Sequence, residues 1–133
     1  MLRENHSRIL HSVISDDGGR TWTRPRPTGI PEYPAHLFHL TDGRLLCLAG
    51  RRWPPFGAKA YFSHDRGETW DLKNPVVIRD DLANRDLGYP TGVLVGDQAL
   101  NVFCYGQDSR GITGIDVNKV ALSNRMTIRG DSI

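Results

Sequence analysis

The sequence predicts an all-β chain built from repeated antiparallel hairpins, and three observations predict it. The octapeptide Ser15-Asp16-Asp17-Gly18-Gly19-Arg20-Thr21-Trp22 returns as Ser63-His64-Asp65-Arg66-Gly67-Glu68-Thr69-Trp70, both reading S-x-D-x-G-x-T-W. Tyr33-Pro34 returns as Tyr89-Pro90 and Asp42 as Asp97, 56 and 55 positions apart. The 14 glycines and 8 prolines are scattered, which suits many turns and leaves no convincing helix. Self-similarity at this period marks a repeat of one four-stranded unit plus a long connection.

Each fixed position of the octapeptide has a mechanical role in a tight turn. Asp17 and Asp65 can accept hydrogen bonds from backbone N–H groups further along, and Ser15, Ser63, Thr21 and Thr69 supply hydroxyls that do the same more weakly. Gly19 and Gly67 permit a positive φ. Trp22 and Trp70 are expected to fold back over their turns and bury their indoles in a small satellite core. The two aspartates are therefore read as structural and not as catalytic acids.

The strands follow in order. Ile9 to Ser15 is apolar-rich and enters the first octapeptide, and Thr23 to Pro31 leaves it as a Pro-rich outer strand. Ala35 to Leu40 and Leu45 to Ala49 flank Thr41-Asp42-Gly43-Arg44, whose Asp-Gly centre predicts a type I′ turn. Ala58 to Ser63 leads into the second octapeptide and Pro75 to Arg79 carries the chain out. Gly92 to Val95, the turn Gly96-Asp97-Gln98 and Leu100 to Tyr105 repeat the hairpin, and Ile112 to Val117 is a last strand. The polar tail from Ser123 is expected to fray.

The octapeptide is identified as the Asp-box, or BNR repeat, and the chain resembles the sialidase superfamily of β-propellers. Tyr33 to Leu46, Gly50 to Gly57 and Asp86-Leu87-Gly88-Tyr89-Pro90 resemble segments of bacterial sialidase-like glycosyl hydrolases, with coverage from about Arg8 to Val120. The resemblance implies β-propeller blades of four-stranded antiparallel sheets, each box joining the third and fourth strands on the rim away from the active site. Residues 1–122 are then part of a six-bladed sialidase-type propeller and 123–133 a tail. On that layout the chain holds two strands of one blade, four of the next and three of another. A blade buries its faces only against neighbours, so the expectation is a fragment of a longer reading frame or, second, a protomer that self-associates to complete the propeller.

Composition narrows the partners. Charge is 24% and of mixed sign, the formal net charge is +2, and apolar content is 38%, so nothing points to nucleic acid or a membrane surface. No apolar run approaches the ~20 residues of a membrane helix. Met1 to His6 lacks the apolar run of a signal peptide, so the location defaults to the cytoplasm. Cys47 and Cys104 are too few for a disulfide framework or zinc site and read as small buried hydrophobes. No cofactor is called for.

The resemblance also implies where chemistry sits: at the mouth of the propeller channel, where the innermost strands begin. Tyr89 heads such a strand and matches the place of a sialidase nucleophile. A neutral phenol suits a substrate with a carboxylate at its anomeric carbon, and this is a known exception to two-carboxylate glycosidases. The alternative is a ring that merely packs where Pro90 fixes the strand start. Sialidases clamp the substrate carboxylate with three arginines, and Arg51 or Arg52 stands about where the third arises. A guanidinium fork binds a carboxylate bidentately, and spacing does not choose between the two.

Asp80, Asp81 and Asp86 are placed on a loop from Arg79 to Gly88, where Asp86 serves as an acid/base, a hydroxyl ligand or a solvated carboxylate. His36 and His39 are expected on one face of their strand, with His36 the better channel-facing group. The glutamates are Glu4, Glu32 and Glu68, and none is assignable as a partner for Tyr89. The first arginine motif and the usual aspartate acid/base are likewise not found. Two functions follow: part of a sialidase-like glycoside hydrolase acting on a terminal sugar, sialic acid among the options and inactive as an isolated chain, or a non-catalytic propeller binding carbohydrate or protein.

Overall fold

Leu45-Leu46-Cys47-Leu48-Ala49-Gly50 has no polar side chain to alternate with, the pattern of a strand covered on both faces, and Leu46 to Gly50 are buried without interruption. The computed structural model describes residues 1–3, 6–96 and 99–122. Among these residues ten strands form three antiparallel sheets. The first holds β1 (Leu2–Arg3), β2 (Leu10–Ser12) and β3 (Arg26–Pro27). The second holds β4 (Ala35–His39), β5 (Leu45–Arg51), β6 (Phe56–Ser63) and β7 (Val76–Leu82), in that spatial order. The third holds β8 (Gly88–Val95), β9 (Ala99–Gln107) and β10 (Thr113–Ala121), also neighbours in sequence order.

The all-β expectation and the middle four-stranded unit stand as read. The first sheet has three short strands where two were expected, because Leu2–Arg3 pairs with Leu10 and His11. Its outer strands are shorter than the apolar and Pro-rich stretches suggested. Proline offers no ladder donor, and the segment around Pro25 and Pro27 keeps only two paired residues. Strand β8 starts at Gly88, not Gly92, and β7 runs to Leu82, so Asp80 and Asp81 lie in a strand instead of a loop. Asp81 is held there by the Arg79 guanidinium at 2.9 Å.

The β4–β5 turn corrects the type I′ expectation. Gly43 has a φ of +87°, but Asp42 does not share the left-handed region that a type I′ turn demands at both central positions. Instead the Gly43 N–H donates to Leu40 O at 3.0 Å and the Leu40 N–H to Arg44 O at 2.9 Å, a three-residue loop closed by a left-handed glycine. The corresponding turn between β8 and β9, with Asp97 and Gln98, lies outside the described residues, as do Glu4 and the tail from Ser123.

The middle sheet is covered on both sides. Leu46, Leu48, Ala60, Phe62, Val76 and Ile78 pack on Leu100, Val102 and Val120 of the third sheet. Cys47, Ala49, Tyr61 and Trp70, on the opposite face, pack on Leu10 and Ile30. Polar ties reinforce the stack: Arg79 Nη1 contacts Asp116 Oδ2 between β7 and β10, and His36 Nδ1 lies 2.8 Å from Thr91 Oγ1 between β4 and β8. Cys47 and Cys104 are buried, and burial pushes the Cys47 thiol up to about 12.

Both octapeptides form the expected staple. Asp17 Oδ1 accepts the N–H groups of Arg20 at 3.0 Å and Thr21 at 2.9 Å, while its Oδ2 takes the Thr21 hydroxyl at 2.6 Å. Asp65 accepts the Thr69 N–H at 2.8 Å and its hydroxyl at 2.5 Å. Ser15 and Ser63 each accept a glycine N–H, from Gly19 and Gly67, at 2.8 Å. The glycines have φ of +88° and +89°. Each box is the turn between the last two strands of its sheet. Trp70 is 8% exposed as expected, but Trp22 is 59% exposed and corrects the prediction of two buried indoles.

Candidate functional site at the start of the eighth strand

Strand β5 ends at Arg51, next to where β8 begins, so Arg51 and Arg52 arrive beside Gly88 and Tyr89. The structure separates the two arginines. Arg51 Nη1 is 2.8 Å from Glu32 Oε1 and its Nη2 donates to Pro54 O at 3.0 Å. Glu32 is fully buried and also meets Lys59 Nζ at 3.4 Å and the Tyr61 hydroxyl. A buried carboxylate is tolerable only when paired and hydrogen-bonded, and Arg51 is taken up by that pairing. Burial first, then the hydrogen bond to Glu32, pushes the Tyr61 phenol far up.

Among the described residues Arg52 has no such engagement. Its guanidinium carbon lies 5.9 Å from the Tyr89 ring centroid. It also flanks Gly88, where a Cβ would sit 3.3 Å from its Nη2. Its Nε is buried without a hydrogen-bond partner.

Tyr89 is 64% exposed, and its φ of +46° is unusual for a residue with a Cβ. The pairing shifts between Gly88 opposite Tyr105 and Thr91 opposite Phe103, so β8 carries an extra residue there. A bulge of this kind re-aims a side chain. The Tyr89 ring stacks on Tyr105 with centroids 6.3 Å apart and planes 16° apart. The Tyr105 hydroxyl donates to Asp86 Oδ1 at 3.0 Å. Desolvation, then that carboxylate, raises the Tyr105 phenol above its ordinary value, with Arg52 pulling the other way.

Of the residues singled out in the sequence, Arg52, Asp86 and Tyr89 come together. His36 lies at the edge of the same region: with Pro34, Leu37, Tyr89, Pro90 and Thr91 it lines an open groove of about 600 Å³. His39 does not join it. Three positions along a strand reverse the side chain's face, and His36 stacks instead on Phe38 at 4.5 Å, two residues on. Sequence reasoning missed Tyr105, which reads as one more position of an alternating strand, and Glu32, whose partners lie 19 to 29 positions away. The Asp-box residues stand apart from this cluster, in the turns between β2 and β3 and between β6 and β7.

Comparison with known proteins finds the repeat and partial relatives. The BNR/Asp-box repeat family matches residues 13–24 and 61–72. A protein named Sialidase from Clostridium perfringens is 32% identical over 77 residues, covering 56% of this chain and 20% of that protein. A Sialidase from Paraclostridium sordellii is 30% identical over 77 residues, covering 56% and 19%. The chain thus spans about a fifth of the length of these relatives. A crystal structure titled as an unknown-function protein from Dyadobacter fermentans DSM 18053 superposes with a TM-score of 0.77 at 26% identity, over 95% of this chain and 33% of that one. The chain thus carries two BNR/Asp-box repeats and is similar, over part of its length, to proteins named Sialidase.

Proposed function

We propose that the chain supplies one wall of a glycan site in a sialidase-like glycoside hydrolase, its stacked sheets being blades of a partial six-bladed propeller. The observation that carries this reading is the meeting of Arg52 with the Asp86–Tyr89 stretch, joined through Tyr105 of β9, at the start of β8. The covered faces of the middle sheet support the blade reading, because propeller blades gain their core from neighbours.

In this reading Arg52, not Arg51, grips the carboxylate of a terminal acidic sugar. Among the described residues its fork makes no ion pair, whereas turning Arg51 outward would strand the buried Glu32 charge. Tyr89 is the nucleophile: its phenol oxygen bonds to the anomeric carbon as the glycosidic C–O bond breaks, the phenol giving up its proton to solvent and protonated Asp86 supplying one to the departing sugar oxygen, through an oxocarbenium-like transition state. Asp86 is the acid/base, and His36 borders the groove as a polar contact for the sugar.

One observation favours the second reading, a propeller that binds carbohydrate without chemistry. Among the described residues no hydrogen bond reaches the Tyr89 hydroxyl, and Glu32 is occupied by Arg51, Lys59 and Tyr61. The deciding experiment is hydrolysis of a fluorogenic sialoside, beside neutral glycosides, by a protein that carries these residues in a complete propeller. Tyr89→Phe is expected to lower kcat at least about a thousandfold, and Arg52→Gln to raise KM about tenfold or more. Unchanged hydrolysis in Tyr89→Phe removes the nucleophile assignment. Sugar binding with no hydrolysis by the parent selects the binding module.

A further inference from the structure

We infer that two copies of this chain close a six-sheet ring head to tail, the outer face of the third sheet in each copy seated on the outer face of the first sheet in the other. The inference rests on the blade reading above and extends it from one chain to an assembly.

The chain makes one kind of contact twice within itself. Leu10 and Ile30 lie on the middle sheet at Cys47, Ala49, Tyr61 and Trp70, and the middle sheet in turn lies on the third through Leu46, Leu48, Ala60 and Phe62. Each contact joins the leading face of one sheet to the trailing face of the next. Among the described residues, a leading face and a trailing face are left uncovered at opposite ends of the stack.

The leading face of the third sheet repeats that of the middle one. Phe103 stands opposite Val117 as Leu48 does opposite Ala60, and Val93 opposite Asn101 as Phe38 does opposite Leu46. Val93, Val95 and Val117 are exposed there, and Ile115 is 75% exposed. Asn101 and Lys119 take the places of Leu46 and Phe62, a polar share that suits a contact between separately folded copies.

The trailing face of the first sheet is its counterpart. Leu2, His11 and Pro27 lie across it, on the side away from buried Leu10, and Leu2 and Pro27 are exposed. Trp22 repeats Trp70, each ring lying against the glycine of its own box. Trp70 is packed with Leu10 and Ile30 of the preceding segment, whereas Trp22 has no such cover.

A second copy fits both faces at once. Three sheets in each copy make six in a pair, the number in the propeller reading, and a head-to-tail contact yields a ring when its rotation closes. At roughly 400 Å² of surface per face, one contact removes about 800 Å² and a closed pair about 1,600 Å², the size of a stable interface.

The test is the mass of the full chain in solution, by light scattering behind size exclusion. Twice the 14.9 kDa of one copy is expected at micromolar concentration, and unfolding curves taken below the association range report the single copy. Ile115→Asp on the leading face and Trp22→Asp on the trailing face both replace exposed side chains and each spoils both contacts of the pair. Each is expected to weaken association at least about a hundredfold. Mixed in equal amounts, the two variants keep one intact contact and regain a pair weaker than the wild type. A pair broken by Ile115→Asp but untouched by Trp22→Asp places leading face on leading face and overturns the ring. Masses that climb without limit as concentration rises describe a filament and overturn the closure. A single-copy mass for the wild type overturns the second copy, and assigns the faces to the same polypeptide or to a different protein. The blade reading is judged apart from all of these, by amide hydrogen exchange at Leu46 to Gly50: it stands where these amides are protected in the single copy and falls where they exchange freely.

Discussion

The turns at 15–22 and 63–70 share five residues and nearly one hydrogen-bond pattern, yet they live in different surroundings. The first joins strands of three and two residues at the outer sheet; the second joins strands of eight and seven in the middle one. Trp22 stays in solvent and closes on its own turn, its indole N–H donating to Gly19 O at 3.0 Å. Trp70 drops into the core beside Cys47 and Tyr61, where its indole N–H has no partner among the described residues. Magnitudes explain why the core placement is stable. An unpaired donor costs about 1–3 kcal/mol, whereas burying an indole of roughly 200 Å² returns about 5 kcal/mol. The octapeptide therefore specifies a turn, and the neighbouring sheets decide what its tryptophan does.

The sharpest way to break this contrast is Trp70→Ala, which should destabilise the chain by about 3–5 kcal/mol in urea or thermal unfolding. A loss as small as that of a surface residue would mean the two boxes are energetically alike. Next in size, Gly67→Ala should cost about 1–2 kcal/mol from the left-handed backbone. It should exceed Gly19→Ala, because the new Cβ lies 3.3 Å from Leu45 Cδ1, whereas at Gly19 the nearest atom is 3.5 Å away on the exposed Trp22 ring. Equal costs would show that Leu45 yields freely.

A pH series tests the part the boxes share. Threonine hydroxyls, then the threonine N–H groups and serine hydroxyls, hold Asp17 and Asp65 down at about 2 from an ordinary 3.8. Each folded turn then resists protonation more than the unfolded chain does. The associated stability is complete above about pH 4 and is lost as pH falls through about 2. Unfolding midpoints should drop over that window, and Asp17→Asn and Asp65→Asn should blunt the drop equally. Smallest of all, Trp22→Ala should change stability by no more than about 0.5 kcal/mol, read from the same unfolding curves.

The same division runs through what the sequence disclosed. Local chemistry was legible: the staples, the four strands of the middle sheet, and the apolar hairpins all follow from short-range patterns. Features set by distant neighbours were not. Trp22's exposure depends on how little sheet surrounds it, and β8's early start was hidden by Pro90 and the bulge at Tyr89. Arg52, Asp86 and Tyr89 were singled out through the family resemblance, but the choice of Arg52 needed Glu32, which captures Arg51 from 19 positions earlier. Tyr105 carried no local signal, since only the approach of its ring to Tyr89 and its hydroxyl to Asp86 distinguishes it.

Strand β5 has one further consequence. With both faces covered, sliding it by one residue would expose no hydrophobe, so polarity cannot fix its alignment as it does in a half-wet strand. Side-chain size sets the alignment instead. Leu46 and Leu48 fill the side toward the third sheet, while Cys47 and Ala49 leave room on the other for Tyr61 and Trp70. A shift would trade leucines for a cysteine and an alanine, opening voids on one side and crowding the other. The strand is thus indexed by volume, and its two small residues are as informative as its leucines.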